Sequence, residues 1–194
     1  MPLAQVIRAQ AATYLIATDS AEIATPKPFK PLIVPRHPQR FDEVQALVEA
    51  QGLRVSRRSS WPAAGPFESS GAMQADVWLG DSLGEMALYY AFSDLALLGG
   101  SLAPLRGQNL IEAAACGCPV VMGPQTFNFL EAAELAEAGG AALRVGDVGE
   151  AVRSAIGLLG EPRGLATAAH AGLAFGARNR GATQKTLAAL KAYL

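Results

Sequence analysis

Residues 76–123 read DVWLGDSLGEMALYYAFSDLALLGGSLAPLRGQNLIEAAACGCPVVMG. Three short aliphatic runs, at 76–79, 95–98 and 119–122, each enter a glycine-bearing turn, and the intervals between them carry helical spacing over 85–92 and 109–116. A short apolar run bounded by turns suits a strand buried on both faces, whereas apolar residues three and four apart suit a helix. Strands separated by helices need crossovers, so the stretch predicts βαβ units, a parallel sheet and right-handed connections.

The same alternation extends outward. Upstream, 32–34 reads as a strand, followed by Phe41, Val44, Leu47 and Val48 at helical spacing before Gly52, a residue suited to the position after a helix end. Downstream, 128–138 reads as a helix and 142–145 as a strand. The tail, 147–194, has no strand signal. It predicts two or three helices broken at 160–162 and around 176–181, packed over one face of the sheet. The fold expected is therefore α/β, a doubly wound parallel sheet with C-terminal helices. Two stretches fall outside the pattern. Residues 57–71, RRSSWPAAGPFESSG, read as an exposed loop, and residues 1–30 as a helix followed by an extended segment.

Composition narrows the function. The chain has 194 residues, 51% hydrophobic and 17% charged, enough for one buried core without disulfide or metal staples and too apolar for disorder. Sixteen basic against 17 acidic side chains leave no cationic surplus for nucleic acid, so the expected partner is a small molecule. Cys116 and Cys118 with two histidines, His37 and His170, do not make a four-ligand zinc site, and both thiols read as core. The longest uncharged run, 113–130, is interrupted by Gly117, Pro119, Gly123, Pro124, Gln125 and Asn128, so it predicts no membrane span. Residues 1–20 lack a signal-peptide pattern, and a cytoplasmic chain is expected.

The strand ends locate the chemistry. Pro35-Arg36-His37, the turn 80–85, Gly99-Gly100-Ser101 and Gly123-Pro124 each follow a strand, and in an open parallel sheet such turns gather along the edge that binds ligands. Glycines let backbone N–H groups approach an anion, helix N-termini add a positive dipole end, and Arg36 can pair with a phosphate or carboxylate. Together they predict a site for an anionic small molecule such as a nucleotide. Ser82-Leu83-Gly84-Glu85 and Asn109-Leu110-Ile111-Glu112 also fit the capping box, so Glu85 and Glu112 serve a helix, a ligand or both. Gly99-Gly100 is equally a tight turn, His37 a surface residue, and Arg54, Arg57 and Arg58 a solvated basic face. Neither G-x-G-x-x-G nor a P-loop occurs, which disfavours a nicotinamide cofactor or an ATPase.

The run GDSLGEMALYYAFSDLALLGGSLAPLRGQNLIEAAACGCPVVMGPQTFNF, with VPRHPQRF upstream, closely resembles the C-terminal domain of bacterial 3-deoxy-D-manno-octulosonate (Kdo) transferases, enzymes of the GT-B glycosyltransferase fold. The resemblance covers 31–145 and fits the following helices loosely. It implies a Rossmann-like half that binds CMP-Kdo, whose sugar the family transfers to a lipid A precursor in lipopolysaccharide synthesis. It further implies association of full-length members with the cytoplasmic face of the inner membrane. Carried across, the family's Pro-Arg is Pro35 and Arg36, expected near CMP. Its Met-Gly-Glu is Leu83, Gly84 and Glu85, and its Asn-Pro-Leu-Glu is Asn109, Leu110, Ile111 and Glu112, with Glu112 the implied ribose-hydroxyl acceptor. Gly99, Gly100 and Ser101 are expected to line the same crevice.

Two motifs depart from the family. Gly-Gly-His-Asn becomes Arg106-Gly107-Gln108-Asn109, and Gly-Pro-His-Thr becomes Gly123-Pro124-Gln125-Thr126, so Gln108 hydrogen-bonds but cannot become cationic. No residue here matches the family's acceptor domain. The catalytic base is expected there, with residues 31–194 as the donor-binding domain, no metal or cofactor within it, and no catalysis by this chain alone. A non-catalytic nucleotide-binding or scaffold module is the alternative, and a UDP-sugar epimerase of the same fold the third reading.

Overall fold

The computed structural model describes residues 12–17, 30–104, 107–178, 187 and 190. Seven strands form one sheet: β1 (Ala12–Ala17), β2 (Lys30–Pro35), β3 (Val55–Arg57), β4 (Val77–Leu79), β5 (Leu95–Leu98), β6 (Val120–Met122) and β7 (Ala142–Arg144), in the order β3-β4-β2-β1-β5-β6-β7. Six run parallel, as the alternation predicts, with Leu32 beside Trp78 and Ala96 beside Val120. β1 is the exception. It lies antiparallel between β2 and β5, pairing Ala12 with Pro35 and Thr13 with Leu98, where a helix was expected. The run ATYLIA holds Thr, Tyr and Ile, which favour strand, and six residues are too few for an isolated helix.

The strand sequences read as unbroken apolar runs because both faces of the sheet are covered. Leu32, Val34, Ala96, Leu98, Val120 and Met122 face one core with α3 (Met86–Phe92), α4 (Leu110–Ala115) and α5 (Leu130–Ala138). Their alternates Ile33, Leu95, Leu97 and Val121 face a second core with α1 (Phe41–Glu49) and α6 (Val148–Leu159), the period of two that a pleated strand imposes. The last helix, α7 (Pro162–Arg178), corrects the expectation that the tail covers one face. Leu165 packs at the edge of the α6 core, while Phe175 is buried in the opposite one. The break at 160–162 separates α6 from α7, but α7 runs through Gly176, and the rest of the second expected break lies outside the described residues.

The segment 57–71 is also more ordered than an exposed loop. It holds the end of β3, two 3₁₀ turns and the start of α2 (Ser70–Gln74), whose first turn is capped by the Ser69 hydroxyl accepting from Ala72 N–H. Trp61 packs edge-on against buried Trp78 with ring centroids 5.1 Å apart, and its indole N–H donates to Ser56 Oγ at 2.9 Å. The three arginines are not a simple solvated face. Arg54 grips Asp76 through two bonds of 2.9 and 3.0 Å, Arg57 pairs with Asp42, and Arg58 with Glu85 at 3.0 Å.

Helix α7 packs extensively and closely on α4. A Cβ at Gly176 would lie 2.7 Å from Ala115 Cα, so glycine is what lets the long helix seat there. Gly157 in α6, by contrast, has no atom within 4 Å of such a Cβ. Gly176→Leu is therefore expected to lower stability by about 1–3 kcal/mol through overpacking. Gly157→Ala should raise it by about 0.5–1 kcal/mol through helix propensity. Urea unfolding of the two variants checks both signs.

Candidate functional site

A cleft of about 330 Å³ opens at the carboxyl edge of the sheet, where a doubly wound fold binds ligands. One side is the end of β2, Pro35 and Arg36, with the turn 82–84 that leads from β4 into α3; Met86 and Tyr90 of α3 lie between. The other side is the segment 107–109, Glu112 of α4, and Asn128 and Phe129 ahead of α5.

Six of the twelve predicted residues meet in this cleft: Pro35, Arg36, Leu83, Gly84, Asn109 and Glu112. Asn109 caps α4, its Oδ1 accepting Ile111 N–H at 3.0 Å, as the capping pattern predicts. Glu112 does not complete that box. Its carboxylate is exposed on the cleft wall with no hydrogen-bond or ion-pair partner among the described residues. Arg36 is likewise exposed and unpaired among them. Leu83 stands at the rim, 72% exposed, and Gly84 turns the chain with φ of +81°.

The other six lie beneath or beside the cleft. Leu110 is buried in the core and Ile111 packs against it. Gly99, Gly100 and Ser101 form a buried 3₁₀ turn. Gly100 N–H donates to Gln108 Oε1 at 3.0 Å, so Gln108 clamps this turn to the 107–109 segment. Ser101 Oγ donates to Leu98 O and accepts Gly123 N–H at 2.7 Å. Glu85 sits outside the capping box expected of it. α3 begins at Met86 with Glu85 itself in the cap position and no side-chain cap. Its carboxylate instead takes Arg58 Nη2 at 3.0 Å, the Tyr89 hydroxyl at 3.1 Å and the Ser82 hydroxyl, which also meets Tyr89 OH.

That network sets the charges. The Ser82 hydroxyl first, then Tyr89 and Arg58, hold the Glu85 carboxyl below its ordinary pKa, and burial pushes the Tyr89 phenol up to about 12. Burial also raises the thiols of Cys116 and Cys118; Cys118 is buried as a core thiol, whereas Cys116 is half-buried against the edge of the core. Among the described residues, no group of three or more His, Cys, Asp or Glu side chains is placed to hold a metal ion, and no helix is long and apolar enough to cross a membrane.

Sequence reasoning placed Ser82 only within the turn 80–85, and it missed Val34, Met86, Tyr90, Gly107, Gln108, Asn128 and Phe129 as cleft residues. Asn128 and Phe129 follow the turn after β6, so the rule that singled out the other strand ends points to them too. Tyr90 carries no such signal, because an aromatic at helical spacing reads as core, and it is 2% exposed.

A carboxyl with a lowered folded pKa stabilises the fold above the ordinary carboxylate range, about 4.3, and loses that contribution as pH falls through the folded value. Glu85 and Asp76, the latter held low by Arg54, both act in this sense. The urea midpoint of the wild-type chain is expected to fall between pH 7 and pH 3, and that of Glu85→Gln to fall by less. An identical drop in both would remove Glu85 from the account.

No family model matches the chain. A 3-deoxy-D-manno-octulosonic acid transferase from Bordetella pertussis is 49% identical over 178 residues, which is 92% of this chain and 40% of that protein. The transferase from Haemophilus influenzae is 37% identical over 164 residues, 84% of this chain and 37% of that one. The chain thus spans about 40% of the length of these relatives. Among solved structures, the C-terminal CMP-Kdo binding domain of WaaA from Acinetobacter baumannii superposes with a TM-score of 0.65 at 32% identity, covering 74% of this chain and 72% of that one. With the parallel α/β sheet and its edge cleft, these likenesses place the chain in the 3-deoxy-D-manno-octulosonic acid transferase family, with the Rossmann-like GT-B fold of its C-terminal domain.

Proposed function

We propose that the cleft holds the CMP moiety of CMP-Kdo and that this chain is the donor-binding part of a glycosyltransferase that moves Kdo to a lipid A precursor. The observation that carries the reading is a pair of charges. Arg36 and Glu112 face one cleft without a partner among the described residues, while their neighbours Arg58 and Glu85 neutralise each other at 3.0 Å. A carboxylate accepts from two adjacent hydroxyls, so Glu112 suits a ribose, and the Arg36 guanidinium suits the anionic phosphate. The reading is supported by the similar domain from Acinetobacter baumannii, which is a CMP-Kdo binding domain.

In the transfer, an acceptor hydroxyl attacks the anomeric carbon of Kdo. The bond from that carbon to the phosphate oxygen breaks, and CMP departs with the electron pair. Arg36 offsets the charge that grows on the phosphate. The hydroxyl's proton goes to a general base outside the described residues, in the part of the enzyme that holds the acceptor. The donor-binding domain in this reading comprises residues 31–194 together with β1, which lies between β2 and β5 in the same sheet. Glu85, Gly99, Gly100, Ser101, Leu110 and Ile111 hold the walls in shape, while Pro35, Leu83, Gly84 and Asn109 meet the ligand with Arg36 and Glu112. In this reading the acceptor is a membrane lipid and the transfer takes place at the cytoplasmic face of the inner membrane.

Calorimetric titration with CMP, UMP and ADP tests the assignment. CMP is expected to bind in preference, and Arg36→Ala and Glu112→Ala are each expected to weaken it roughly tenfold to a hundredfold, as the loss of a hydrogen bond to a charged group implies. Equal binding of the three nucleotides would favour a non-catalytic module instead.

A further inference from the structure

The cleft wall furthest along the sheet is the turn Thr126–Phe129, and it is not held by core packing alone. Thr126 is 5% exposed, and its Oγ1 accepts a hydrogen bond of 3.1 Å from Arg144 Nη1, a side chain that comes from the edge strand β7. The same guanidinium donates through Nε to Glu137 Oε2 of α5 at 2.8 Å, so its plane is fixed from two directions. Thr126 O in turn accepts Phe129 N–H at 2.8 Å, closing the turn. On the opposite side, the Gly107 backbone passes so close that a Cβ there would lie 2.9 Å from Gln125 O and 3.2 Å from Thr126 Cα. The turn is therefore wedged between the 107–109 segment and Arg144.

The product of this arrangement is the placement of Asn128. Its side chain is exposed on the cleft, has no partner among the described residues, and offers both a carbonyl and an NH₂. We infer that Asn128 is a donor-binding residue and that Arg144 is a positioning residue for it, acting through Thr126. This rests on the reading of the cleft as a CMP-Kdo site. A lysine at 144 cannot do the same, because a single ammonium lacks the planar fork that reaches Glu137 and Thr126 together. The ion pair itself is partly exposed and contributes little to global stability, so a binding defect separates from a folding defect.

The test is a double-mutant cycle on CMP-Kdo affinity, with amide hydrogen exchange alongside. Arg144→Ala, Arg144→Lys and Thr126→Val are each expected to weaken binding severalfold with unfolding midpoints near wild type, and Thr126→Ser, which keeps the hydroxyl, to restore it. Asn128→Ala should weaken binding to a similar degree, and adding Arg144→Ala to it should cost nothing more. In the ligand-free chain, Arg144→Ala and Thr126→Val should speed exchange at Phe129 N–H and leave Ile111 N–H, bonded to Asn109, unchanged. Wild-type affinity in Arg144→Ala or in Asn128→Ala, or effects that multiply in the double variant, would overturn the inference while leaving the donor site standing. A wild-type chain with no affinity for CMP-Kdo would overturn both.

Discussion

The turns that follow β5 and β6 are tied together by one buried hydroxyl, and the cleft depends on that tie. Ser101 Oγ takes Gly123 N–H at 2.7 Å, and Ser101 O takes Gln125 N–H at 2.9 Å, so two loops that belong to different βαβ units become one wall. The approach is possible only because residue 123 is glycine: a Cβ there would sit 2.4 Å from Ser101 O. The parallel sheet dictates that the loops leave from one edge. The Ser101–Gly123 contact dictates that they leave it close enough to share a ligand.

Upon that frame the charges are divided in two. Glu85 and Arg58 face each other across the β4–α3 turn and the 3₁₀ turn after β3, and with Ser82 and Tyr89 they fasten those two turns. Arg36 and Glu112, on the cleft itself, are left to whatever enters. The division is between side chains that make the walls rigid and side chains that the walls present. The walls of such a site need little rearrangement to bind, whereas the exposed side chains of Arg36 and Glu112 become ordered when a ligand engages them.

Much of this was legible in the sequence, for reasons that can be assigned. The strands were readable because burial on both faces leaves unbroken runs such as Leu95–Leu98, and the cleft's place because turns at their ends carry glycine and polar residues. β1 was not, since a single six-residue run inserted antiparallel carries no periodicity that sets it apart from the Ala-rich residues before it. The roles of Glu85 and Glu112 could not be separated either. Both stand three residues after a residue type suited to capping, Ser82 or Asn109, and what distinguishes them is Arg58, 27 residues before Glu85 in the chain and 3.0 Å from it in space. Arg144 was invisible for the same reason: its partners Glu137 and Thr126 meet it only once β7 lies beside β6. Six residues of the motifs behind the family resemblance fall on the edge cleft, but which of the motif side chains line it was a matter of tertiary contacts.

The central claim is that one nucleotide is held between Arg36 and Glu112. A crystal structure of the chain grown with CMP measures this directly. The account predicts CMP in the edge cleft, its ribose hydroxyls on the Glu112 carboxylate and its phosphate within reach of the Arg36 guanidinium, with the Glu85–Arg58 pair unbroken. Density for CMP elsewhere on the chain, or in the cleft with Glu112 turned away from it, would contradict the account.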